Sequence, residues 1–262
     1  MMRFNWSKRM AARSILAMSL LTLLPASGAG AQPAPAPVIE DFHEETIGAD
    51  PTSFSLQAGF WSISADGDQP VLLEDGSRWE GSELASGLAA QAQATYGSRW
   101  AEFIDDLDIA SYWPLAVFNK VERFDGGTLS VRFKMLGGQA DQDAGIAFAI
   151  QPNGDFLAVK NDTQENGIVL YQAVQGQVNT LQRIEDVPTS MGDWHEQMLV
   201  ISGMHLTVLL DGKVWLTTDL DVLPSGGVGL FAKRDTVVTF ADFSVDPTRT
   251  NAPAGLEQSS LE

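Results

Sequence analysis

The chain has 262 residues, of which 44% are hydrophobic and 19% are charged, a balance that is typical of a globular protein and excludes a mainly disordered chain. Its 16 Lys and Arg residues against 34 Asp and Glu residues give a formal charge of -18, which argues against nucleic acid as a partner because a polyanion binds a basic surface. The sequence has no Cys, which excludes disulfides, thiolate nucleophiles and thiolate-bound zinc.

The N-terminal residues have the pattern of a secretory signal peptide. A basic segment between Arg3 and Arg13 precedes an apolar stretch at residues 14–24, and Ala29-Gly30-Ala31 fits the small-x-small rule for cleavage. The alternative is an N-terminal membrane anchor, but the apolar stretch is shorter than the roughly 20 residues that span a bilayer. We therefore predict a signal peptide at residues 1–31, export to a periplasm or the cell exterior, and no membrane span after cleavage.

The remaining sequence divides into three parts. Residues 32–37 alternate Pro with other residues, which predicts a short extended linker. Residues 38–245 have the length of one all-β sandwich domain and contain no internal linker or repeat. Residues 246–262 are rich in Pro, Thr, Ser and Glu without hydrophobic periodicity, which predicts a flexible tail.

One stretch before the main strand region follows a helical period. Trp100, Phe103, Ile104 and Leu107 recur at helical spacing among acidic residues. We therefore predict one short helix within residues 98–110 that packs on the sandwich.

From residue 128 onward, short runs alternate apolar with polar residues, the period of half-buried antiparallel strands. In the first run, Leu129, Val131, Phe133 and Met135 are predicted to face the core. Asp211-Gly212 between two apolar runs predicts a tight hairpin. The other predicted strands are residues 145–150, 156–162, 167–174, 194–201, 204–210, 213–218, 227–233 and 237–245.

Several of these segments resemble the concanavalin A-like, LamG-type jelly-roll proteins, and most closely the bacterial secreted set grouped with the 3-keto-disaccharide hydrolase domain. The resemblance covers about half of the chain and implies an all-β fold, a jelly-roll sandwich of two antiparallel sheets with any sugar site on the concave sheet. The segments are LSVRFKMLGG (129–138), DQDAGIAF (141–148), ENGIVLY (165–171), LFAKRD (230–235) and ADFSV (241–245).

The resemblance also implies an activity. Members of that set are credited with splitting oxidised glycosides, in which a 3-keto group acidifies the C2 proton and permits elimination followed by hydration. This chemistry needs a base near C2 and an electrophile at the ketone. The chain lacks the Glu-x-Asp-x-x-Glu pattern of glucan-cleaving members, which argues against a retaining glycosidase with two paired carboxylates.

The predicted strand at residues 156–162 ends in a polar segment. Amide, carboxylate and ammonium groups there can bind sugar hydroxyls, although a solvated hairpin end has the same composition. The candidate saccharide-binding residues in this segment are Lys160, Asn161, Glu165 and Asn166.

Asp141 and Asp143 precede a strand in which Gly145, Ala147 and Ala149 form a face of small residues. That face leaves room for a ligand or for larger side chains of neighbouring strands. The two carboxylates are candidates for saccharide binding and for Ca2+, which takes oxygen ligands. A plain acidic turn is the alternative.

Three further candidates come from other segments. Lys233 ends a strand, where its ammonium group can polarise a ketone, bind a hydroxyl or simply reach water, and Asp235 follows it. Trp113 lies beside loop residues and is a candidate stacking platform for a sugar. In the strand at residues 194–201, Trp194 is predicted to face the core and His195 the exposed side.

These observations predict an exported protein that binds or acts on saccharides, with hydrolysis of 3-keto glycosides as the enzymatic version. They identify no catalytic base and leave open whether the protein is an enzyme. The alternatives are a non-catalytic envelope module that binds glycans or a protein partner, and a structural domain without a small ligand. A pocket with buried acids of perturbed pKa would favour the enzyme, and a shallow groove with exposed Trp the binding module.

Overall fold

The computed structural model describes residues 36–78, 113–175 and 177–247. The predicted helix within residues 98–110, the predicted signal peptide and nearly all of the predicted tail lie outside these residues. Within them, no helix has the length and apolar character needed to cross a membrane. The described elements are a short 3-10 helix at Gly76–Arg78 and the strands β1 (Val38–Glu40), β2 (Phe54–Ala58), β3 (Trp61–Asp66), β4 (Gln69–Asp75), β5 (Leu115–Phe118), β6 (Gly127–Gly137), β7 (Asp143–Ile150), β8 (Phe156–Asp162), β9 (Gly167–Val174), β10 (Gln177–Ile184), β11 (Trp194–Ser202), β12 (His205–Leu210), β13 (Lys213–Asp219), β14 (Gly227–Ala232) and β15 (Val237–Asp246).

These strands form two antiparallel sheets. Sheet A has the order β13-β12-β11-β6-β15-β4-β3, and β1 pairs with β15 beside β4. Sheet B has the order β10-β9-β8-β7-β14-β5-β2. Consecutive strands are often in different sheets, so the chain crosses repeatedly between the two layers. The predicted fold class, a jelly-roll sandwich of two antiparallel sheets, is confirmed.

The main core lies between the two sheets. On β6, the predicted inward residues Leu129, Val131, Phe133 and Met135 are all fully buried, because alternate residues of a strand share one face.

One polar residue, Gln197 of β11, links the sheets across this core. Its Oε1 accepts a hydrogen bond from the Ile146 N–H of β7 at 2.9 Å, and its Nε2 donates one to the Val159 carbonyl of β8 at 3.1 Å. Gln197 thus fixes β11 of sheet A against two strands of sheet B.

A second hydrophobic cluster lies on the opposite face of sheet B. On β8, Phe156 and Ala158 belong to this cluster, whereas Leu157 and Val159 belong to the core between the sheets. Larger side chains therefore cover the small-residue face predicted on β7. The members of the second cluster are Trp113, Leu115, Val117, Ala147, Ile150, Phe156, Ala158, Val169, Tyr171, Ala173 and Phe231.

The alternation predicted for β7 fails at its end. Ala149 has a φ of 52°, and the register between β7 and β14 shifts between Gly227 and Gly229. This is a β-bulge, which changes the face on which the following residues lie. Ala149 consequently packs against the core between the sheets, and Ile150 joins the second cluster. The alternation had predicted the reverse, with Ala149 on the same face as Ala147 and Ile150 on the other face.

The prediction for β11 was also wrong. The inward residues are Gln197 and its alternate neighbours, so Trp194 lies on the outer face of sheet A. Its Nε1 donates to Asp66 at 2.9 Å, and the Arg132 guanidinium lies 4.8 Å from the ring centroid. His195 instead faces inward, with its Nδ1 2.7 Å from Asp211.

Gly145 is a position where two backbones approach too closely for a side chain. A Cβ there would lie 2.0 Å from the Val159 carbonyl oxygen. We expect Gly145→Ala to lower the free energy of unfolding by about 1–3 kcal/mol, because the strands must shift. The control is Gly137→Ala, whose Cβ would meet only an ordinary contact at 3.7 Å from Val237. Equal stability of the two variants in denaturant titration would contradict this expectation.

Candidate functional site

Seven charged side chains gather at one end of sheet B, where β7 begins and β8 and β14 end. The antiparallel register places Asp143 opposite Asp162 and Ala144 opposite Ala232, the last residue of β14. We call this group the charged cluster. Its members are Asp141, Asp143, Lys160, Asp162, Lys233, Arg234 and Asp235.

The inner part of the charged cluster is a buried ion triad. The Lys160 Nζ lies 2.5 Å from Asp143 Oδ2 and 3.0 Å from Asp162 Oδ2. The three side chains are at most 5% exposed. Lys160 also lies 5.5 Å from the centroid of the Tyr171 ring, so the triad adjoins the aromatic part of the second cluster.

The two carboxyl groups of the triad differ in environment. Burial is the largest influence on Asp143 and raises its pKa to about 6, against the opposing charge of Lys160. Its Oδ1 is buried and has no hydrogen-bond partner among the described residues. Burial also acts to raise the pKa of Asp162, but the Glu165 N–H and the Lys160 ammonium outweigh it and hold that pKa below its usual value.

Lys160 stays charged in this setting. Burial pushes its pKa downward, but the Asp143 carboxylate outweighs burial, and the pKa of Lys160 lies above its usual value. The triad therefore contains a permanent cation beside a carboxyl group that loses its proton close to neutral pH.

The outer part of the charged cluster connects the triad to solvent. Lys233 Nζ lies 2.8 Å from Asp141 Oδ1 and 3.7 Å from Asp143 Oδ2, and Arg234 donates from Nε to Asp141 Oδ2. The side chains of Lys233 and Arg234 are 17% and 37% exposed. A ligand would therefore approach the charged cluster from the side of these two residues.

Asp235 holds the loop that carries Asp141. Its carboxylate accepts hydrogen bonds from the backbone N–H groups of Gln139, Ala140 and Asp141 at 2.7, 3.0 and 3.0 Å. Burial acts to raise the pKa of Asp235, but these N–H groups outweigh it and lower the pKa. Asp235 thus positions Asp141 for its pairing with Lys233.

The side chains of the other predicted site residues lie apart from this network, although the backbone N–H of Glu165 donates to Asp162. Asn161 is fully buried on the face of β8 that points between the sheets, and its side-chain polar atoms have no hydrogen-bond partner within the described ranges. Glu165 is exposed and pairs with Arg183 at 2.8 Å. Asn166 has a φ of 50°, and its carbonyl accepts the Val187 N–H, so it shapes a turn.

Trp113 is buried rather than displayed on a loop. Its ring centroid lies 5.3 Å from that of Tyr171 and 5.4 Å from that of Phe231, and its Nε1 has no hydrogen-bond partner among the residues that the structure describes. Trp113 therefore belongs to the second hydrophobic cluster.

Two members of the charged cluster, Asp162 and Arg234, were not among the predicted site residues. Arg234 adopts a left-handed turn conformation with a φ of 44°, outside the strand alternation that identified Lys233. Only its position next to Lys233 indicated a role.

The predicted calcium ligands are engaged with cations of the protein. Asp141 uses both carboxylate oxygens on Lys233 and Arg234, and Asp143 uses one on Lys160. Across the described ranges, no group of three or more His, Asp or Glu side chains could hold a metal ion. The calcium site therefore stays a prediction.

No family model and no curated protein matches the chain. Among solved structures, the carbohydrate-binding module CBM66 from Bacillus subtilis aligns with a TM-score of 0.52 and 11% identity, over 76% of this chain and 99% of that chain. A native glycosidic hydrolase aligns with a TM-score of 0.46 and 10% identity, over 80% of this chain and 94% of that chain. The first of these likenesses shows a shared fold.

Proposed function

We propose that this protein is an exported saccharide-binding protein whose site is the charged cluster, and that it hydrolyses 3-keto glycosides there. The observation that carries the proposal is Asp143, a buried carboxyl group with a pKa of about 6 and a permanent cation beside it, whose Oδ1 has no partner in the part of the chain that the structure describes. Perturbed carboxyl groups of this kind are typical of acid-base sites. The fold shared with a carbohydrate-binding module supports a saccharide ligand.

The proposed reaction divides the chemistry between two residues. Asp143 is 2% exposed, so the proposed reaction requires the partly exposed side chains of Lys233 and Arg234 to move aside and admit the sugar. With a pKa of about 6, Asp143 is mostly ionised at pH 7 and then takes the C2 proton of the sugar as general base. The Lys233 ammonium group donates a hydrogen bond to the 3-keto oxygen, where negative charge develops. The C2–H electron pair forms the C1=C2 bond while the bond from C1 to the glycosidic oxygen breaks.

The remaining steps balance through water. The departing oxygen takes a proton from a water molecule, and the resulting hydroxide recovers the proton from Asp143. A second water molecule then adds its hydroxyl to C1 and its proton to C2, which gives the free 3-keto sugar. Lys160 keeps Asp143 in position throughout, because its ammonium group binds the Oδ2 atom of that carboxylate.

We expect Asp143→Asn to lower kcat/KM on a 3-keto disaccharide by about 10²–10⁴-fold, because an amide cannot accept the C2 proton. The measurement is chromatography of released sugar, together with deuterium incorporation at C2 in D2O. Lys233→Met should also lower the rate. The control is Lys213→Met, since Lys213 stacks on Trp215 of sheet A.

Binding is measured separately by thermal unfolding with native and 3-keto disaccharides and glucans. A ligand at 100 times its Kd adds about 2.7 kcal/mol of stability. Stabilisation of the wild-type protein without turnover would replace the hydrolase with the non-catalytic glycan-binding module. Turnover that survives Asp143→Asn would contradict hydrolysis at the charged cluster. No stabilisation by any sugar would overturn the saccharide class.

Export is tested by expressing the full chain in a bacterium that processes secretory signals. We expect mature protein in the periplasm or medium with Gln32 as its first residue, because the predicted cleavage follows Ala31. Retention of the unprocessed chain in the cytoplasm would contradict export.

A further inference from the structure

A concave site lies at the opposite end of sheet B from the charged cluster. It is a cleft of about 720 Å³, within the range of roughly 300–1,000 Å³ that ligand sites occupy. Its lining includes Ile150, the last residue of β7, and Gly227, the first residue of β14. The charged cluster lies at the other ends of these two strands, so the sites are separate.

The cleft contains two amide side chains that are already held in place. Gln151 donates from Nε2 to the carbonyls of Ala149 and Ser225 at 2.9 and 2.5 Å, which uses both of its N–H groups and leaves Oε1 as an acceptor. Asn119 accepts the Ser55 hydroxyl at 2.6 Å. A ligand that binds these groups pays little of the ordering cost of flexible side chains.

An oriented guanidinium group lines the same cleft. Arg123 donates from Nε to both oxygens of Asp125 at 2.8 and 3.0 Å, and Asp125 also accepts the Ser225 hydroxyl at 2.5 Å. The Nη groups of Arg123 have no hydrogen-bond partner among the described residues. They remain available as paired donors to adjacent oxygen atoms of a ligand.

The composition of the cleft indicates the class of ligand. Its charged lining residues are Glu122 and Arg123, whose opposite charges offset each other. The whole chain is strongly acidic. Both facts disfavour an anionic ligand. Val117, Val121 and Pro152 add apolar wall. Amide, carboxylate and guanidinium groups beside an apolar wall suit a neutral molecule with hydroxyls on its edge and C–H groups on its face.

We infer that this cleft binds a neutral saccharide unit and is a second saccharide site of the protein. The cleft would bind the same class of ligand as the charged cluster, but saccharide binding in the cleft does not require the charged cluster to bind a sugar or to catalyse a reaction.

The test is a titration of the mature protein with maltose, cellobiose and methyl glucoside, followed by amide chemical shifts in NMR spectra. We expect shifts at residues 119–125, 151–152 and 225–227. Arg123→Ala should weaken binding at least tenfold, while Arg132→Ala, which removes an arginine paired with Asp242 on sheet A, should leave affinity within twofold. The Arg123 side chain is 67% exposed, so its removal should not prevent folding.

The outcomes separate this inference from the proposed function. Sugar-dependent shifts confined to residues 141–143, 160 and 233 would support the charged cluster and overturn the second site. Shifts confined to the cleft, retained in Asp143→Asn, would support the second site alone. Unchanged affinity of Arg123→Ala, or tighter binding of glucuronate than of methyl glucoside, would also overturn the inference.

Discussion

Replacing Lys160 with Met should lower the free energy of unfolding at pH 7 by about 3–5 kcal/mol, the usual cost of removing one partner from a buried ion pair. Lys160 is the cation between Asp143 and Asp162, and all three side chains are buried. Without it, two carboxylates would remain close together with little water to solvate them. Denaturant titration measures the loss.

The loss should depend on pH. Asp143 has a pKa of about 6 with Lys160 beside it, and removal of that cation would raise the pKa further. The group is then protonated at pH 5 and carries no charge that needs solvation, so the destabilisation should be smaller at pH 5 than at pH 7. The additional change Asp143→Asn should likewise restore part of the stability at pH 7.

Lys213→Met is the matched control, because Lys213 is partly exposed and pairs with the face of Trp215 rather than with a buried carboxylate. Its effect should stay within about 0.5 kcal/mol. A loss below 1 kcal/mol for Lys160→Met, or the same loss at pH 5 and pH 7, would show that the triad is not a buried charged unit.

The sequence predicted best the strands that have one face in the core. The predicted strands at residues 156–162 and 167–174 coincide with β8 and β9, because buried apolar residues there mark both the strand and its limits. Strand β10 was not predicted. Nearly all of its residues are exposed, so it has no apolar alternation to detect, and it is held by backbone pairing with β9.

Five of the seven members of the charged cluster could be predicted as single residues, but their arrangement could not. Asp143, Lys160 and Lys233 were each candidates in separate segments of the sequence. What joins them is the register of β7 with β8 and with β14, and register depends on pairings across the whole sheet. The same limit explains the wrong face of Trp194, since both faces of β11 carry apolar side chains and only packing against sheet B selects the inner one.

Glu74 should make the protein less stable as the pH rises from about 5 to 8. It is fully buried in β4. One carboxyl oxygen accepts the Phe60 N–H at 2.9 Å, and the other has no partner among the described residues. Burial is the largest influence and raises its pKa to about 8; Asp75 adds to the rise, while the Phe60 N–H and Arg78 oppose it. An unfolded chain has the ordinary value of 4.5 for this group.

The direction of this pH dependence follows from which state of the protein holds the proton. Between these two pKa values the folded protein keeps a proton on Glu74 that the unfolded chain has lost, so each pH unit lowers the free energy of unfolding by about 1.4 kcal/mol. The stabilising contribution is complete below pH 4.5 and is lost as the pH passes the folded pKa. Asp143, with a pKa of about 6, adds a slope of the same sign only below that value.

The range from pH 6.5 to 8 therefore separates the contribution of Glu74 from that of Asp143. Denaturant titrations at several pH values in this range give the slope of the free energy of unfolding against pH. Glu74→Gln keeps an acceptor for the Phe60 N–H and cannot lose a proton, so the slope should nearly vanish in this variant. Glu44→Gln, a change at an exposed carboxylate, should keep the wild-type slope. An unchanged slope in Glu74→Gln would mean that this carboxyl group is solvated in the folded protein, because only burial without compensating donors holds the proton to such a high pH.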